Sequence, residues 1–207
     1  MPLEYEYAFY NFNKNEIISN IKKLKAKLKG IYLFRIQVFI HPLEKEGTYI
    51  RVRDEGYKTT LTYKFQKPKD KFAEENEIII DNFDEAVNIL LGLGCKKKYY
   101  YEKIREIWTI DNSEIVFDTN PGVTDRMEIE SKTKKELNKL IEYLNLDIQK
   151  FQDKYLELFG IVIPKAVDLT FQNCKKTLLK YVKKNKSDFI DLVDSQIIKY
   201  NKLKKNK

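Results

Sequence analysis

Two periodic patterns of apolar and polar residues divide the chain into predicted strands and helices. Alternating stretches and runs of β-branched and aromatic residues predict strands. These strands cover residues 3–11, 31–40, 48–53, 57–65, 75–80, 98–109, 113–118 and 125–130. Most neighbouring strands are joined by short turns, which favours a largely antiparallel sheet of about eight strands.

Apolar residues spaced three and four positions apart predict helices between and after these strands. Ile17, Ile21 and Leu28 share one face of a helix predicted over residues 14–29, which Gly30 would end. Further helices are predicted over residues 83–93, 133–145, 148–158, 173–183 and 187–201. Strands and helices together predict an α+β fold.

Composition narrows the class of protein. A chain of 207 residues can form one sizeable core and is too short for two full domains. No apolar run approaches the roughly 20 residues of a membrane span, and the N-terminus does not resemble a secretory signal. Two cysteines and one histidine suit a reducing, cytoplasmic compartment and exclude most histidine-dependent catalysis. Any bound metal is therefore expected to be a hard cation held by carboxylates.

The net charge of +8 resides in the C-terminal part of the chain. Residues 161–207 hold twelve lysines and four aspartates, whereas residues 1–160 are neutral overall. We therefore predict a main domain over residues 1–160 and a basic, mainly helical extension over residues 161–207. A pair of solvated amphipathic helices packed on the main domain is the favoured interpretation of the extension. Contact with nucleic acid or an acidic partner is the alternative.

Charged residues on the predicted strands are sorted by strand and by face. Because alternate residues of a strand share a face, Arg51 lies beside Arg53 and Glu75 beside Glu77. The same holds for other charged sets, namely Glu4 and Glu6, Lys58 and Lys64, Lys103 and Arg105, Glu114 and Asp118, and Arg126 with Glu128 and Glu130. The opposite faces are mostly apolar. One interpretation is a half-buried sheet with its charged face in water.

The like-charged pairs favour a second interpretation, a sheet curled into a barrel with a charged lumen. Neighbouring like charges repel and stabilise nothing in a simply solvated sheet. Guanidinium and ammonium groups suit phosphate oxygens, and carboxylates suit Mg²⁺ or Mn²⁺. A barrel of about eight strands can enclose one small ligand. The predicted ligand is a short polyanion, such as a triphosphate, with its metal.

The order and spacing of these charged sets resemble those of the CYTH proteins, also called triphosphate tunnel metalloenzymes. The resemblance covers roughly residues 3–160. Its matching segments are Glu4-x-Glu6, Arg51-x-Arg53, Thr60-Leu61-Thr62-Tyr63-Lys64, Glu75-x-Glu77, Lys103-x-Arg105, the strand from Glu114 to Asp118, and Glu128-Ile129-Glu130. The family includes class IV adenylyl cyclases, thiamine triphosphatases and inorganic triphosphatases. The resemblance implies a closed, antiparallel, eight-stranded barrel with flanking helices.

The resemblance also implies a role for each charged residue. Carboxylates would hold Mg²⁺ or Mn²⁺, namely Glu4, Glu6, Glu77, Glu128 and Glu130, with Glu75 assisting. Basic residues would bind the triphosphate, namely Arg51, Arg53, Lys64, Lys103 and Arg105. Asp118 would hold one of these basic side chains in position. The implied chemistry is in-line attack on phosphorus, in which the residues most directly engaged are Glu4, Glu6, Lys64 and Arg105.

One position departs from the family signature ExExK. Where the signature has lysine, this chain has Ala8, on the same face as Glu4 and Glu6. Three functions stay open: a metal-dependent triphosphatase, which is favoured, an adenylyl cyclase that makes cyclic AMP, and a catalytically weakened module that binds nucleotide or polyphosphate. The expected partner is a small-molecule triphosphate. No membrane contact is expected, and a homodimer stays open.

Overall fold

An eight-stranded antiparallel sheet forms the centre of the computed structural model, which describes residues 5–42, 47–65, 72–147, 159–161 and 167–205. Its strands are β1 (Tyr5–Phe9), β2 (Lys27–Ile40), β3 (Thr48–Asp54), β4 (Thr59–Phe65), β5 (Glu74–Ile80), β6 (Lys96–Ile110), β7 (Ser113–Thr119) and β8 (Arg126–Ser131). They are ordered β1-β8-β7-β6-β2-β3-β4-β5. The prediction of an antiparallel sheet of about eight strands is confirmed.

The sheet curls so that its charged face surrounds a lumen. Side chains from all eight strands line one cavity of about 530 Å³. The edge strands β1 and β5 approach each other through Phe72, whose ring lies 5.2 Å from that of Tyr5 and 5.7 Å from that of Tyr7. Within the described ranges, no backbone pairing joins β1 to β5. The structure therefore shows a curled sheet, and closure into a barrel stays a prediction.

Helices cover the outer, apolar side of the sheet. They are α1 (Lys14–Lys23), α2 (Phe83–Gly92), α3 (Lys134–Tyr143), α4 (Cys174–Leu179) and α5 (Lys186–Lys205). Side chains of Asn13, Asn82 and Thr133 accept hydrogen bonds from backbone N–H groups in the first turns of α1, α2 and α3, which stabilises these helix starts. The inner face of the sheet carries the charged side chains together with an apolar cluster, from which Phe34, Ile107 and Val116 line the cavity.

Two core clusters fix these helices on the sheet. Ile21 of α1 and Leu137 of α3 are fully buried against Ile115 and Met127 of the sheet. On the other side, residues of α2 pack on β3 through a second cluster that includes Phe83, Val87, Leu90 and Val52. Burial of side chains of this size contributes about 1.5–3 kcal/mol each to folding. The clusters hold strands of opposite halves of the sheet around the lumen.

The prediction of a helix over residues 14–29 is wrong at its C-terminal end. Helix α1 ends at Lys23, and Lys25 adopts a left-handed backbone conformation with φ of 63°, which stops the helix. Chain from Lys27 onwards already pairs with β6. Leu28, placed on the buried helical face by its spacing, is 49% exposed. The long ladder between β2 and β6 outweighs the local helical pattern.

The C-terminal part packs against the outside of the sheet. The bridge between Leu169 and Tyr101 is parallel, and the ring of Phe171 stacks on that of Tyr200 at 4.9 Å, next to the buried Ile104.

Helix α4 is shorter than the predicted helix over residues 173–183. The predicted helix over residues 148–158 lies outside the described residues. None of the described helices has the length and apolar character of a membrane span.

Candidate active site

The lumen brings together the charged residues that the sequence singles out. All the predicted triphosphate-binding residues line the cavity, namely Arg51, Arg53, Lys64, Lys103 and Arg105. So do the predicted carboxylates within the described ranges, namely Glu6, Glu75, Glu77, Glu128 and Glu130. Glu4 lies outside the described residues.

On one wall, Asp118 of β7 holds two cations of β6. The Nζ of Lys103 donates a hydrogen bond to Asp118 at 2.7 Å, and Arg105 donates from Nε and Nη2 at 2.6 and 2.5 Å. Arg105 also donates to Glu128 of β8 at 2.5 Å. Because Asp118 is 1% exposed and does not line the cavity, it would act on a ligand indirectly, through the side chains that it holds. It fixes their positions relative to the lumen.

Burial and neighbouring charge shift the pKa values of this wall. Burial, followed by the charge of Arg105, lowers the pKa of Lys103 to about 8, although Asp118 and Glu128 oppose the shift. Burial alone would raise the pKa of Glu128, but the charges of Arg105 and Arg126 outweigh it and lower that pKa. Glu128 is therefore a carboxylate at neutral pH. Lys103 is a cation at neutral pH and can release its proton at slightly higher pH.

The opposite wall holds a second group of arginines around Glu77 of β5. Arg53 donates to Glu77 at 2.9 Å, and the hydroxyl of Thr62 donates to the same oxygen at 2.9 Å. Arg51 in turn donates from Nε to Thr62 at 3.3 Å. Burial would raise the pKa of Glu77, but Arg53, followed by Thr62, lowers it. Glu77 thus orients the two arginines of β3 through direct and relayed hydrogen bonds.

Further side chains complete this wall. Lys64 lies 3.5 Å from Glu75, and Arg51 lies 3.6 Å from the same carboxylate. Lys58, which directly precedes β4, lies 3.5 Å from Glu77. Among the predicted metal ligands, Glu77 is therefore held in the arginine group of the second wall, on a different part of the sheet from Glu6 and Glu130.

A row of carboxylates crosses three neighbouring strands at one end of the lumen. Glu6 of β1 is directly opposite Glu130 of β8, and Glu130 is directly opposite Glu114 of β7. Such partners have Cβ atoms about 4.5–5.5 Å apart, and like charges there destabilise the sheet. Burial, with a contribution from the charge of Glu55, raises the pKa of Glu114. A divalent cation would relieve this repulsion.

The carboxylate row fits Mg²⁺ or Mn²⁺ both in the chemistry of its donor atoms and in its position beside the cavity. Its donors are all carboxylate oxygens, which hard cations prefer. Glu114 and Glu130 line the main cavity and also a second cavity of about 500 Å³, so they stand between the two. In the described part of the chain, no three Asp, Glu, His or Cys side chains already converge at metal-binding distance. A bound cation would draw the row together.

Strand alternation predicts the charged face for several further lumen residues, to which the family resemblance assigns no role. Lys58, Glu114 and Arg126 line the cavity beside the predicted residues. Glu55 was missed, because it follows β3 and strand alternation ends before it. It lies 2.7 Å from Arg53 and is almost fully buried. Its signal in the sequence is only the odd numbering that it shares with Arg51 and Arg53.

Comparisons with known proteins agree with this architecture. A family model described as CYTH domain matches residues 13–152. A Methanocaldococcus jannaschii protein, named as a candidate adenylate cyclase, is 27% identical in an alignment of 165 residues that covers 72% of this chain and 94% of that protein. The solved structure of the PH1012 protein from Pyrococcus horikoshii OT3 is 26% identical, with a TM-score of 0.62 over 75% of this chain and 98% of its own.

A Hippeastrum structure shares the fold at greater distance. It is 15% identical, with a TM-score of 0.50 over 79% of this chain and 98% of its own. That protein is described as a candidate adenylyl cyclase with a dominant triphosphatase activity. At this identity, the likeness shows the shared fold.

Proposed function

The chain belongs to the CYTH domain family, and on this premise we propose that it is a divalent-metal-dependent triphosphatase. Its substrate would be an organic or inorganic triphosphate bound in the lumen. The observation that supports this most is the lining of one cavity by seven basic side chains, namely Arg51, Arg53, Lys58, Lys64, Lys103, Arg105 and Arg126. Seven carboxylates line the same cavity, namely Glu6, Glu55, Glu75, Glu77, Glu114, Glu128 and Glu130, so the lumen suits a polyanion that binds together with a divalent cation.

The two walls of the lumen would grip the phosphate chain from opposite sides. Arg51 and Arg53 are oriented by Glu77 and Thr62, and Lys103 and Arg105 are oriented by Asp118. Pre-oriented cations need little rearrangement as negative charge develops on transferring phosphoryl oxygens. Catalysis would therefore rest on positioning and charge neutralisation.

The metal would be held by the carboxylate row of Glu6, Glu130 and Glu114. When bound, it would supply positive charge at the phosphoryl group under attack. The Nζ of Lys103, with its pKa of about 8, still carries a proton at pH 7 and could stabilise the leaving phosphate oxygen. Attack by water would give orthophosphate and the shortened substrate.

A second candidate is an adenylyl cyclase. The relative from Methanocaldococcus jannaschii is named as a candidate for this activity. The same cations and metal would serve, with the ribose 3′-hydroxyl of ATP as the attacking group and pyrophosphate as the leaving group. A binding module without turnover is the third candidate, because Ala8 brings no cation to its place.

Product analysis tests these candidates together. Purified protein is incubated with inorganic triphosphate, thiamine triphosphate or ATP, with Mg²⁺ or Mn²⁺, and products are read by ³¹P NMR and chromatography. Orthophosphate release that stops when metal is chelated supports the triphosphatase, whereas cyclic AMP and pyrophosphate identify the cyclase. Absence of turnover, with a higher melting temperature in triphosphate, would leave the binding module. Absence of both turnover and binding would refute the proposal.

The matched control for this assay uses the chain's arginines. All five arginines lie in the described ranges, and Arg35 is the one among them that does not line the cavity; it pairs with Asp54 at 2.8 Å on the outside. Arg105→Gln removes a cation from the lumen, whereas Arg35→Gln removes the same group from the exterior. The triphosphatase proposal predicts loss of turnover in the first variant and retention in the second.

A further inference from the structure

Arg126 places a cation in the lumen next to Ala8, where this chain departs from the family signature ExExK. It begins β8 on the same face as Glu128 and Glu130, and it lines the cavity. Its guanidinium forms an ion pair with Glu128 and lies 3.8 Å from Glu6. It thus joins β8 to the edge strand β1 across the charged face.

The two carboxylates that Arg126 contacts are the immediate neighbours of Ala8. Glu6 is two residues before Ala8 on β1, and therefore on the same face. Glu128 lies directly opposite Ala8 on β8. Ala8 is only 7% exposed and carries just a methyl group, so its own side chain brings no charge between these carboxylates. The guanidinium of Arg126 supplies the positive charge there.

Arg126 retains hydrogen-bonding capacity beyond these ion pairs. Its Nε is buried and has no hydrogen-bond partner among the described residues. Arg53, a predicted phosphate-binding residue, shows the same feature at its own Nε. A buried donor without an acceptor is costly unless a ligand satisfies it. Both guanidinium groups therefore keep hydrogen-bonding capacity that the described side chains do not satisfy.

Residue usage points in the same direction. Lysine and arginine total 39, yet only five are arginine, and four of these five line the cavity. A chain that otherwise uses lysine keeps arginine where planar, two-point recognition of oxyanions is needed. Arg126 follows this usage, whereas an arginine that served only to neutralise nearby carboxylates could be lysine.

We propose that Arg126 is a further triphosphate-binding residue, which provides from β8 the cation that position 8 of β1 lacks. The inference rests on the proposed triphosphate binding, and it assigns to this end of the lumen a ligand contact outside the residues predicted from sequence. The alternative is a purely structural role, in which Arg126 only neutralises Glu6 and Glu128.

Binding of inorganic triphosphate by calorimetry separates these roles. Arg126→Gln keeps polar atoms and removes the charge, and we expect it to weaken triphosphate affinity by about tenfold or more, since a charge-assisted hydrogen bond is lost. Arg35→Gln, outside the lumen, should bind as the wild type does. A purely structural role predicts a lower melting temperature for Arg126→Gln with unchanged affinity, and that result would overturn the proposal.

Relocation of the charge gives the sharper test. In the Arg126→Gln background, Ala8→Lys should recover most of the lost affinity, whereas Ala8→Met, similar in size and uncharged, should not. Equal affinities of the two double variants would overturn the proposal. If the wild-type chain itself does not bind triphosphate, the proposed function fails and this inference fails with it. If the wild-type chain binds triphosphate and the Arg126→Gln variant binds it equally well, this inference alone fails.

A second measurement applies even if Arg126→Gln does not fold. In the otherwise unchanged chain, Ala8→Lys would place an ammonium beside the guanidinium of Arg126. We expect it to lower the melting temperature without ligand by more than Ala8→Met does, because like charges in one partly buried place repel. We also expect added triphosphate to reduce the difference. Equal melting temperatures of the two single variants would contradict the idea that the side chain at position 8 and the guanidinium of Arg126 occupy the same place.

Discussion

Asp118→Asn tests whether one buried carboxylate holds the cations of a whole wall. In the wild type, Asp118 is 1% exposed and accepts three hydrogen bonds, one from Lys103 and two from Arg105. Asparagine is nearly the same size and keeps one acceptor oxygen. It removes the negative charge and leaves two cations in the interior, of which Arg105 keeps its ion pair with Glu128.

The expected loss of stability follows from this geometry. Removal of one partner of a buried ion pair costs about 3–5 kcal/mol. For a chain of this length, each kcal/mol corresponds to a fall of about 2–4 °C in melting temperature, so we expect a fall of roughly 6–20 °C. The pKa of Lys103 should decrease further, because Asp118 is one of the groups that raises it.

The assay is thermal unfolding followed by circular dichroism at neutral pH, without phosphate. The control is Asp194→Asn, which breaks the ion pair with Lys175 at 2.7 Å, where both side chains are well exposed. Such a surface pair contributes at most about 1 kcal/mol. A melting temperature of Asp118→Asn within about 2 °C of the wild type would refute the idea that Asp118 holds two buried cations.

Three further predictions concern the metal site, the phosphate site and the pH dependence of stability. Glu130→Gln and Glu6→Gln should abolish metal-dependent turnover while triphosphate still raises the melting temperature; full turnover in both would contradict the carboxylate row as the metal site. Arg53→Gln should weaken triphosphate affinity by about tenfold or more in calorimetry, whereas Arg35→Gln should not. The pKa of Lys103 is lowered to about 8 from its ordinary value of 10.5, so the unfolded chain binds the proton more tightly. Stability should therefore rise between about pH 8 and pH 10 in denaturant titrations, and Lys103→Met should remove this rise.

Alternation of residues was sufficient to predict which side chains face the lumen. Arg51, Arg53, Lys103 and Arg105 line the cavity because side chains on a strand alternate strictly between its faces. Pairing with β6 could not be foreseen for residues 27–30, since the local pattern there is helical and only the distant partner strand decides otherwise.

Neighbours across strands could not be predicted from spacing. The row formed by Glu6, Glu130 and Glu114 depends on the order β1-β8-β7, which places the first strand beside the last. Sequence gives the face of each carboxylate, but the partner and register come from the packing of the whole sheet. For this reason, the placement of Glu77 among arginines and of Arg126 beside Ala8 emerges only from the structure.

Strand β1 has only five residues and, among the described strands, pairs with β8 alone. Detachment of such an edge strand is a local unfolding event, with its own free energy below that of the whole domain. A cation shared by Glu6 of β1 and Glu130 of β8 would bind only while the strand is attached, so a higher metal concentration would increase the free energy of detachment. The backbone amides of residues 5–9 would then report metal occupancy through their rate of hydrogen exchange, and chelation would release this strand before the rest of the fold.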